Sequence, residues 1–287
     1  MPSVEQRPLR DGQTSFARAA AGRRLAFCEW GDPEGTAVFY LHGVPGSRYL
    51  RHMGSLYSDA RLRVITYDRP GYGLSDRAPG RIVADTAADV AVIADCIGLT
   101  RFSVVGVSAG AVHAMALGAL LPERVDRCVG IKALAPYQAE GLDFFAGMHP
   151  DDAAVLRAAA QGDHTAVAAE AAGASAWAAS DFPGLSAPEP VASMLKQTFR
   201  EAFRQGLDGH LDDMAAHVRN HGYDLQSVSV PTLLLAARGD EQAPPGHARW
   251  LAAQLPRAKL AWMEGGHMEY HEQEEMRAFI WAGIGSP

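Results

Sequence analysis

Three polar side chains of this sequence, Ser108, Asp240 and His267, could together carry out nucleophilic catalysis. Ser108 is the central residue of a G-x-S-x-G pattern at residues 106–110 (GVSAG). A serine hydroxyl is a poor nucleophile near neutral pH, because it needs a base to accept its proton and a third group to orient that base. We predict that His267 is the base, that Asp240 orients it, and that Ser108 attacks a carbonyl carbon.

Each of these residues comes at or just after the end of a predicted strand. The apolar run 102–107 leads into Ser108 and a helix-favouring stretch begins at residue 111, so Ser108 would lie in a sharp strand-to-helix turn. The turns that carry Asp240 and His267 contain glycine and follow the strand-like runs 232–237 and 259–263. Because the active site of a parallel sheet lies at the carboxyl ends of its strands, we expect the three side chains to meet there.

A further glycine-containing turn, residues 42–47 (HGVPGS), follows the strand-like run 36–41. The tetrahedral intermediate of acyl transfer carries an oxyanion, which backbone N–H groups can stabilise. The N–H of Ala109, directly after the nucleophile, and the N–H of Val44 are the predicted donors of this oxyanion hole. His42 has two interpretations, since it could contact the substrate or brace the turn through hydrogen bonds.

The rest of the chain alternates between strand and helix patterns. Residues 14–30 have the pattern of a hairpin, and the other strand-like runs are 36–41, 62–67, 102–107, 125–134, 232–237 and 259–263. Helix patterns follow several of them, including the last one, which carries Met276, Phe279 and Ile280. We therefore predict an α/β fold with an eight-stranded, mostly parallel sheet and helices on both faces.

The alternation stops between residues 138 and 224. Residues 153–179 are rich in alanine, and Leu195, Phe199, Phe203 and Leu207 form an i, i+4 stripe, so both stretches favour helix. We predict a helical lid at 138–224, inserted between two core segments, 1–137 and 225–287. Five of its side chains could line a substrate pocket or pack the lid onto the core: Phe144, Phe145, Met148, Trp177 and Phe182.

Composition excludes several classes of function. The 287 residues carry 26 basic and 33 acidic side chains, a net charge of −7, which argues against a nucleic-acid or anionic-membrane partner. No apolar run reaches the roughly 18–20 residues that span a bilayer, and the polar stretch 1–14 is unlike a signal peptide, so we expect a cytoplasmic protein. We expect Cys28, Cys96 and Cys128 to be reduced core thiols, with no metal site and no cofactor.

These motifs resemble the α/β-hydrolase fold superfamily over nearly the whole chain. Residues 41–47 (LHGVPGS) resemble its oxyanion loop, 68–76 (DRPGYGLSD) the turn after its fourth strand, and 106–110 its nucleophile elbow. Asp240 and His267 match its acid and histidine turns, and the insertion at 138–224 lies where the family carries a lid. Haloalkane dehalogenases and epoxide hydrolases of this fold use aspartate at the elbow, so Ser108 argues against both.

The resemblance implies a serine esterase or lactonase that acts on a small organic molecule, as a monomer or homodimer. Two alternatives stay open: the same triad used for C–C bond hydrolysis, cyclisation or cofactor-free oxygenation, and a small-molecule receptor. Other histidines compete with His267 for the role of base. We expect His113 to be packed and hydrogen-bonded, His247 to be exposed and His271 to lie on the surface.

Overall fold

An eight-stranded sheet occupies the centre of the fold. The computed structural model describes residues 10–51, 62–180, 182, 187, 189–268 and 279. The strands run in the spatial order β1-β2-β4-β3-β5-β6-β7-β8, with β1–β2 and β2–β4 antiparallel and the remaining pairs parallel. They are β1 (Arg10–Arg18), β2 (Arg24–Gly31), β3 (Thr36–Leu41), β4 (Leu62–Tyr67), β5 (Phe102–Val107), β6 (Val125–Ile131), β7 (Thr232–Ala237) and β8 (Ala258–Met263).

Both faces of the central strands are covered. One face packs against helices through a cluster that includes Phe39 and Val104 of the sheet, Ile93 and Met115 of two helices, and Leu251 of a third. The opposite face forms a second cluster, against which Phe279, itself in helical conformation, packs. Apolar runs without polar alternation are typical of strands buried on both sides. The predicted fold class, a mostly parallel α/β sheet with helices, is confirmed.

The described helices fall into two groups. Three of them follow strands of the sheet: α1 (Thr86–Cys96), α2 (Ala109–Leu120) and, later in the chain, α7 (Pro245–Gln254). The other four lie between β6 and β7, within the segment for which we predict a lid. They are α3 (Pro150–Gln161), α4 (His164–Ala179), α5 (Val191–Ala202) and α6 (Asp208–Val218).

The structure confirms helix in the alanine-rich stretch, divides it into two helices, and corrects the prediction for the next stretch. The alanine-rich stretch is broken at Gly162, which has a φ of 73°, and the carboxylate of Asp163 then caps α4 by accepting the N–H groups of Thr165 and Ala166. The stripe that predicted one helix through Leu207 instead spans the end of α5 and the start of α6. The residue limits of the lid, 138–224, stay a prediction.

Ion pairs join the insertion to the turn that follows β4 and to the loop after β3. Arg48, which is buried, pairs with Asp68 of that turn at 2.6 Å and with Glu201 of α5 at 2.8 Å. On the surface, Arg77 pairs with Asp212 of α6 at 2.7 Å. The helices of the insertion are thus attached to the same core loops that approach the carboxyl ends of the strands.

The cysteines differ in their surroundings. Cys28 and Cys128 are buried, and burial raises their thiol pKa to about 11 and about 12. Cys96, the last residue of α1, is exposed, so the prediction that it is a core thiol is wrong. No helix in the described ranges is long and apolar enough to cross a membrane.

Candidate active site

Ser108 occupies a strained turn between β5 and α2. Its φ of 54° and ψ of −126° lie in a region that residues with side chains rarely adopt. The turn is tight because backbone approaches backbone on both sides of the serine. A Cβ on Gly106 would lie 2.1 Å from the carbonyl oxygen of Gly110, and a Cβ on Gly110 would lie 2.3 Å from that of Leu41. Glycine at both positions is therefore a steric requirement of this turn.

Ser108, His267 and Asp240, which follow the ends of three strands, form a hydrogen-bonded chain. His267 Nε2 lies 2.8 Å from Ser108 Oγ, and His267 Nδ1 lies 2.8 Å from Asp240 Oδ2. The carboxylate can only accept, so the neutral ring carries its proton on Nδ1 and presents the Nε2 lone pair to the serine hydroxyl. Ser108 and His267 are 159 residues apart in the chain. This arrangement can remove the hydroxyl proton as the oxygen attacks.

Asp240 is held in its charged form. Burial alone would raise its pKa, but hydrogen bonds from His267 and from the N–H groups of Ala243 and Gln242 outweigh burial and lower the pKa. The two N–H donors lie 2.8 and 2.9 Å from Asp240 Oδ1. A charged, fixed carboxylate orients the imidazole and favours its protonated form during the reaction.

Lys132, at the end of β6, supports the turn that carries His267. Its side chain is 4% exposed, and Nζ donates to the carbonyl oxygens of Gly266 at 2.7 Å and His267 at 2.9 Å. Its own backbone has a φ of 51°. Sequence reasoning missed this residue, because nothing near Lys132 in the chain shows that its ammonium reaches a turn 134 residues away.

The turn after β3 lies directly over the serine. A Cβ on Gly43 would lie 3.3 Å from Ser108 Cβ and 3.9 Å from Ser108 Oγ. Val44 and Ala109, the predicted oxyanion donors, both line a cavity that Ser108 also lines. Within the described residues, no hydrogen bond uses the backbone N–H of either one. Both groups are therefore available to an oxyanion, although their catalytic role stays a prediction.

His42 braces this turn. The ring is buried, Nε2 accepts the N–H of Arg69 at 3.2 Å, and Nδ1 lies 2.8 Å from the carbonyl oxygen of Gly43. These partners require a neutral ring that donates from Nδ1. Burial, together with the charge of Arg69, holds the pKa of His42 well below its ordinary value. His42 lines neither of the two cavities at Ser108, so the structure favours the bracing interpretation over substrate contact.

Two cavities open onto Ser108 and His267. The first has a volume of about 170 Å³ and is mainly apolar, with Arg51 and Lys132 as its basic side chains. The second has a volume of about 270 Å³ and contains the carboxylates of Asp152 and Glu170, the latter 2.7 Å from His210 Nε2. The apolar side chains of the first cavity include Leu50, Val107, Ile131, Val191, Met194, Leu195 and Phe199.

Of the five side chains that could line a substrate pocket or pack the lid onto the core, one lines a cavity at Ser108. Trp177 lines the second cavity. Phe182 packs edge-on against Trp177, with ring centroids 4.8 Å apart, and lines neither cavity. Phe144, Phe145 and Met148 belong to an apolar cluster with α3 and α6, so for these three the structure favours packing over substrate contact. The helices of the insertion bury these side chains against one another, and the sequence does not reveal that packing.

Two of the competing histidines, His113 and His247, are bonded to groups other than the serine hydroxyl. His113 is buried and bonded to the Thr86 hydroxyl at 2.7 Å, as predicted. His247 is buried rather than exposed, because Nδ1 accepts the N–H of Ala135 and Nε2 contacts the carbonyl of Phe144. His271 lies outside the described residues. Among the described ones, no three or more histidine, cysteine or acidic side chains are grouped to hold a metal ion.

The chain is similar to known proteins in sequence and in fold. The family described as alpha/beta hydrolase fold matches residues 36–274. A magnesium-chelatase 30 kDa subunit from Rhodobacter capsulatus is 30% identical over 266 residues, 88% of this chain and 89% of that protein. A proline iminopeptidase from Xylella fastidiosa is 30% identical over 122 residues, which are 41% of this chain and only 39% of that protein. An esterase from Exiguobacterium antarcticum shares the fold, with 21% identity, a TM-score of 0.69, and coverage of 96% of this chain and 100% of that one.

Proposed function

Because the chain belongs to the alpha/beta hydrolase fold family and is a hydrolase of that fold, we propose that it cleaves a carboxylic ester or lactone of a small organic molecule. The reaction proceeds through an acyl-enzyme on Ser108. The observation that carries this proposal is the hydrogen-bonded chain from Ser108 through His267 to a charged Asp240. The substrate binds in the two cavities that open onto these side chains.

The first half of the reaction forms the acyl-enzyme. Ser108 Oγ attacks the carbonyl carbon while His267 Nε2 accepts the hydroxyl proton, and Asp240 stabilises the resulting imidazolium. The negative charge moves to the carbonyl oxygen, where the N–H groups of Val44 and Ala109 donate to it. His267 then gives its proton to the leaving oxygen as the C–O bond breaks.

The second half releases the acid. Water gives a proton to His267 Nε2 and attacks the acyl carbon, and the same N–H groups stabilise the second oxyanion. His267 returns the proton to Ser108 Oγ, so the enzyme ends the cycle unchanged and the acid is released. Every proton moves between oxygen and Nε2, so the proposed cycle is complete with side chains and backbone groups of this chain.

Both cavities have mainly apolar linings, and they differ in the charged side chains that they contain. The first cavity accommodates a short acyl chain or ring. The second cavity, which contains the carboxylates of Asp152 and Glu170, accommodates the other side of the scissile bond. Its volume of about 270 Å³ favours a small molecule over a polymer.

The test uses an active-site probe and a substrate series. A fluorophosphonate should label the wild-type protein at Ser108, and p-nitrophenyl esters of increasing acyl length should be hydrolysed with an optimum at short chains. Ser108→Ala should lose both labelling and turnover while keeping its thermal stability. Cys96→Ser, at an exposed position, is the matched control and should keep both. A folded wild-type protein that is neither labelled nor active on any ester or lactone would exclude the proposal.

A second candidate is amide cleavage next to a free amino terminus. The carboxylates of Asp152 and Glu170 lie in the second cavity, where they could pair with an ammonium group. The local similarity to a proline iminopeptidase supports the same reaction. Turnover of prolyl-p-nitroanilide that exceeds turnover of every p-nitrophenyl ester, and that is lost in Asp152→Asn, would favour this candidate.

A further inference from the structure

A buried arginine holds the turn that carries the Val44 N–H through hydrogen bonds to the carbonyl groups of that turn. Arg69 is 1% exposed and lies in the turn after β4. Its Nη1 donates to the carbonyl oxygen of His42, and its Nη2 donates to that of Gly43 at 2.7 Å. His42 Nδ1 donates to the same Gly43 oxygen at 2.8 Å. The two carbonyl groups that precede Val44 are therefore held by three hydrogen bonds.

Holding the Gly43 carbonyl also fixes the direction of the Val44 N–H. The two groups belong to one planar peptide unit, in which C=O and N–H point in opposite directions when the bond is trans. This peptide bond is not among the cis bonds of the described chain. Donors on the carbonyl oxygen therefore orient the N–H away from Arg69. They also polarise the peptide, which strengthens its N–H as a donor.

The position of Arg69 is set by the insertion rather than by the core alone. Its guanidinium forms a two-pronged pair with Asp213 of α6, from Nη2 at 2.6 Å and Nε at 3.1 Å to Oδ2. Asp213 is fully buried, and Arg81 pairs with its other oxygen at 2.5 Å. Burial would raise the pKa of Asp213, but the charges of Arg69 and Arg81 outweigh it and hold the pKa well below its ordinary value.

Helix α6 is packed directly on the turn that contains Arg69. A Cβ on Gly209 of α6 would lie 2.6 Å from the carbonyl oxygen of Gly71, so the two backbones are in contact. A shift of α6 would therefore move Asp213, then Arg69, and then the Gly43–Val44 peptide. The contact and the ion pair together connect the insertion to the loop over Ser108.

The geometry points to Arg69 and Asp213 as positioning residues for the oxyanion hole, through which helix α6 of the insertion sets the donor strength of the Val44 N–H. This inference rests on the proposed acyl-transfer function. Neither residue touches the substrate, since both act through the Gly43 carbonyl. We expect this positioning role for the buried Arg69–Asp213 pair and not for the surface ion pair beside it. Asp212, the neighbouring residue on α6, pairs instead with Arg77 on the surface.

The test compares Asp213→Asn with Asp212→Asn as the matched control on the same helix. Both are assayed on a p-nitrophenyl ester and on the corresponding thionoester, whose sulfur is a weak hydrogen-bond acceptor. Asp213→Asn should lower kcat on the ester by about 10- to 100-fold, the cost of a misplaced catalytic group. KM should change little. The thionoester rate should fall less, so the ester-to-thionoester ratio should drop, whereas Asp212→Asn should match the wild type.

A second variant separates positioning from stability. Asp213→Asn leaves the buried charges of Arg69 and Arg81 without a carboxylate, which can unfold a protein. Arg69→Met instead leaves Asp213 paired with Arg81, so no buried charge loses its only partner. Arg69→Met should therefore remain folded and still show the low kcat and the low ester-to-thionoester ratio. A folded Arg69→Met, or a folded Asp213→Asn, with the wild-type kcat and ratio would overturn the inference. A wild-type protein without esterase activity would instead refute the proposed function on which it rests.

Discussion

Replacing Gly106 by alanine should distort the turn that holds Ser108 and so move the serine out of its catalytic position. The new Cβ would lie 2.1 Å from the carbonyl oxygen of Gly110, 2.4 Å from its carbonyl carbon and 2.7 Å from Ala111 Cα. All three atoms belong to the backbone at the start of α2. No side-chain rotation can relieve the contact, so strand β5 and helix α2 must separate.

The size of the effect follows from these distances. Real Cβ contacts essentially never fall below 3.0 Å, so the start of α2 must move by about 1 Å, a displacement that can cost about 100-fold in rate. Inserting a methyl group into a packed core also costs about 1–3 kcal/mol. Because Ser108 lies between the two displaced segments, we expect both stability and activity to fall.

The measurement pairs thermal unfolding with the rate of fluorophosphonate labelling at Ser108. Gly173→Ala, in the exposed part of α4, is the control, because a Cβ there meets nothing within 4 Å. Alanine is favoured over glycine inside a helix by about 1 kcal/mol, so this control should unfold at a slightly higher temperature and be labelled normally. Wild-type stability together with wild-type labelling in Gly106→Ala would refute the steric reasoning.

Three further outcomes are expected. Asp240→Asn should lower kcat on p-nitrophenyl esters by about 10⁴-fold with little change in KM, because an amide favours the wrong tautomer of the base; a loss below tenfold would contradict the proposed role. Burial lowers the pKa of His221 to about 4, whereas the unfolded value is about 6.5. The unfolded state therefore binds the proton first, and stability should fall as the pH drops below that value, by about 2 kcal/mol at pH 5 for this group. Denaturant titrations at pH 7 and pH 5 should show that His221→Gln loses less stability than the wild type. An equal loss in both proteins would contradict the role assigned to His221. Iodoacetamide should modify Cys96 alone in the folded protein, and mass spectrometry that finds either buried cysteine modified before unfolding would disagree with the structure.

Much of the sheet could be predicted from local patterns. The runs predicted at 36–41, 62–67 and 232–237 coincide with β3, β4 and β7. Strand formation depends on short apolar runs between turn residues, and both are visible within a few positions of the chain. The glycines around Ser108 also mark a tight turn locally, because only glycine fits where backbones approach so closely.

The helices of the insertion were harder to predict, because their limits and orientation depend on burial against distant parts of the chain. The break at Gly162 follows a recognisable helix stop, but the alanine-rich composition on both sides concealed it. Helix α6 has no strong apolar stripe in the sequence, and it buries His210 and Asp213 as well as apolar side chains. Whether Phe144 packs inward or lines a cavity depends on neighbours that come from distant parts of the chain.

The order of strands and helices, the serine turn, and the strand ends followed by an acid and a histidine could all be inferred from the amino-acid sequence. These features depend on residues within a few positions of one another, so local rules suffice. Which polar groups meet across long separations became visible in the folded chain. Lys132 reaches the carbonyl of Gly266, and Arg69 meets Asp213 144 residues further along the chain. Buried charges need partners, and the folded chain supplies those partners through contacts that no local pattern records.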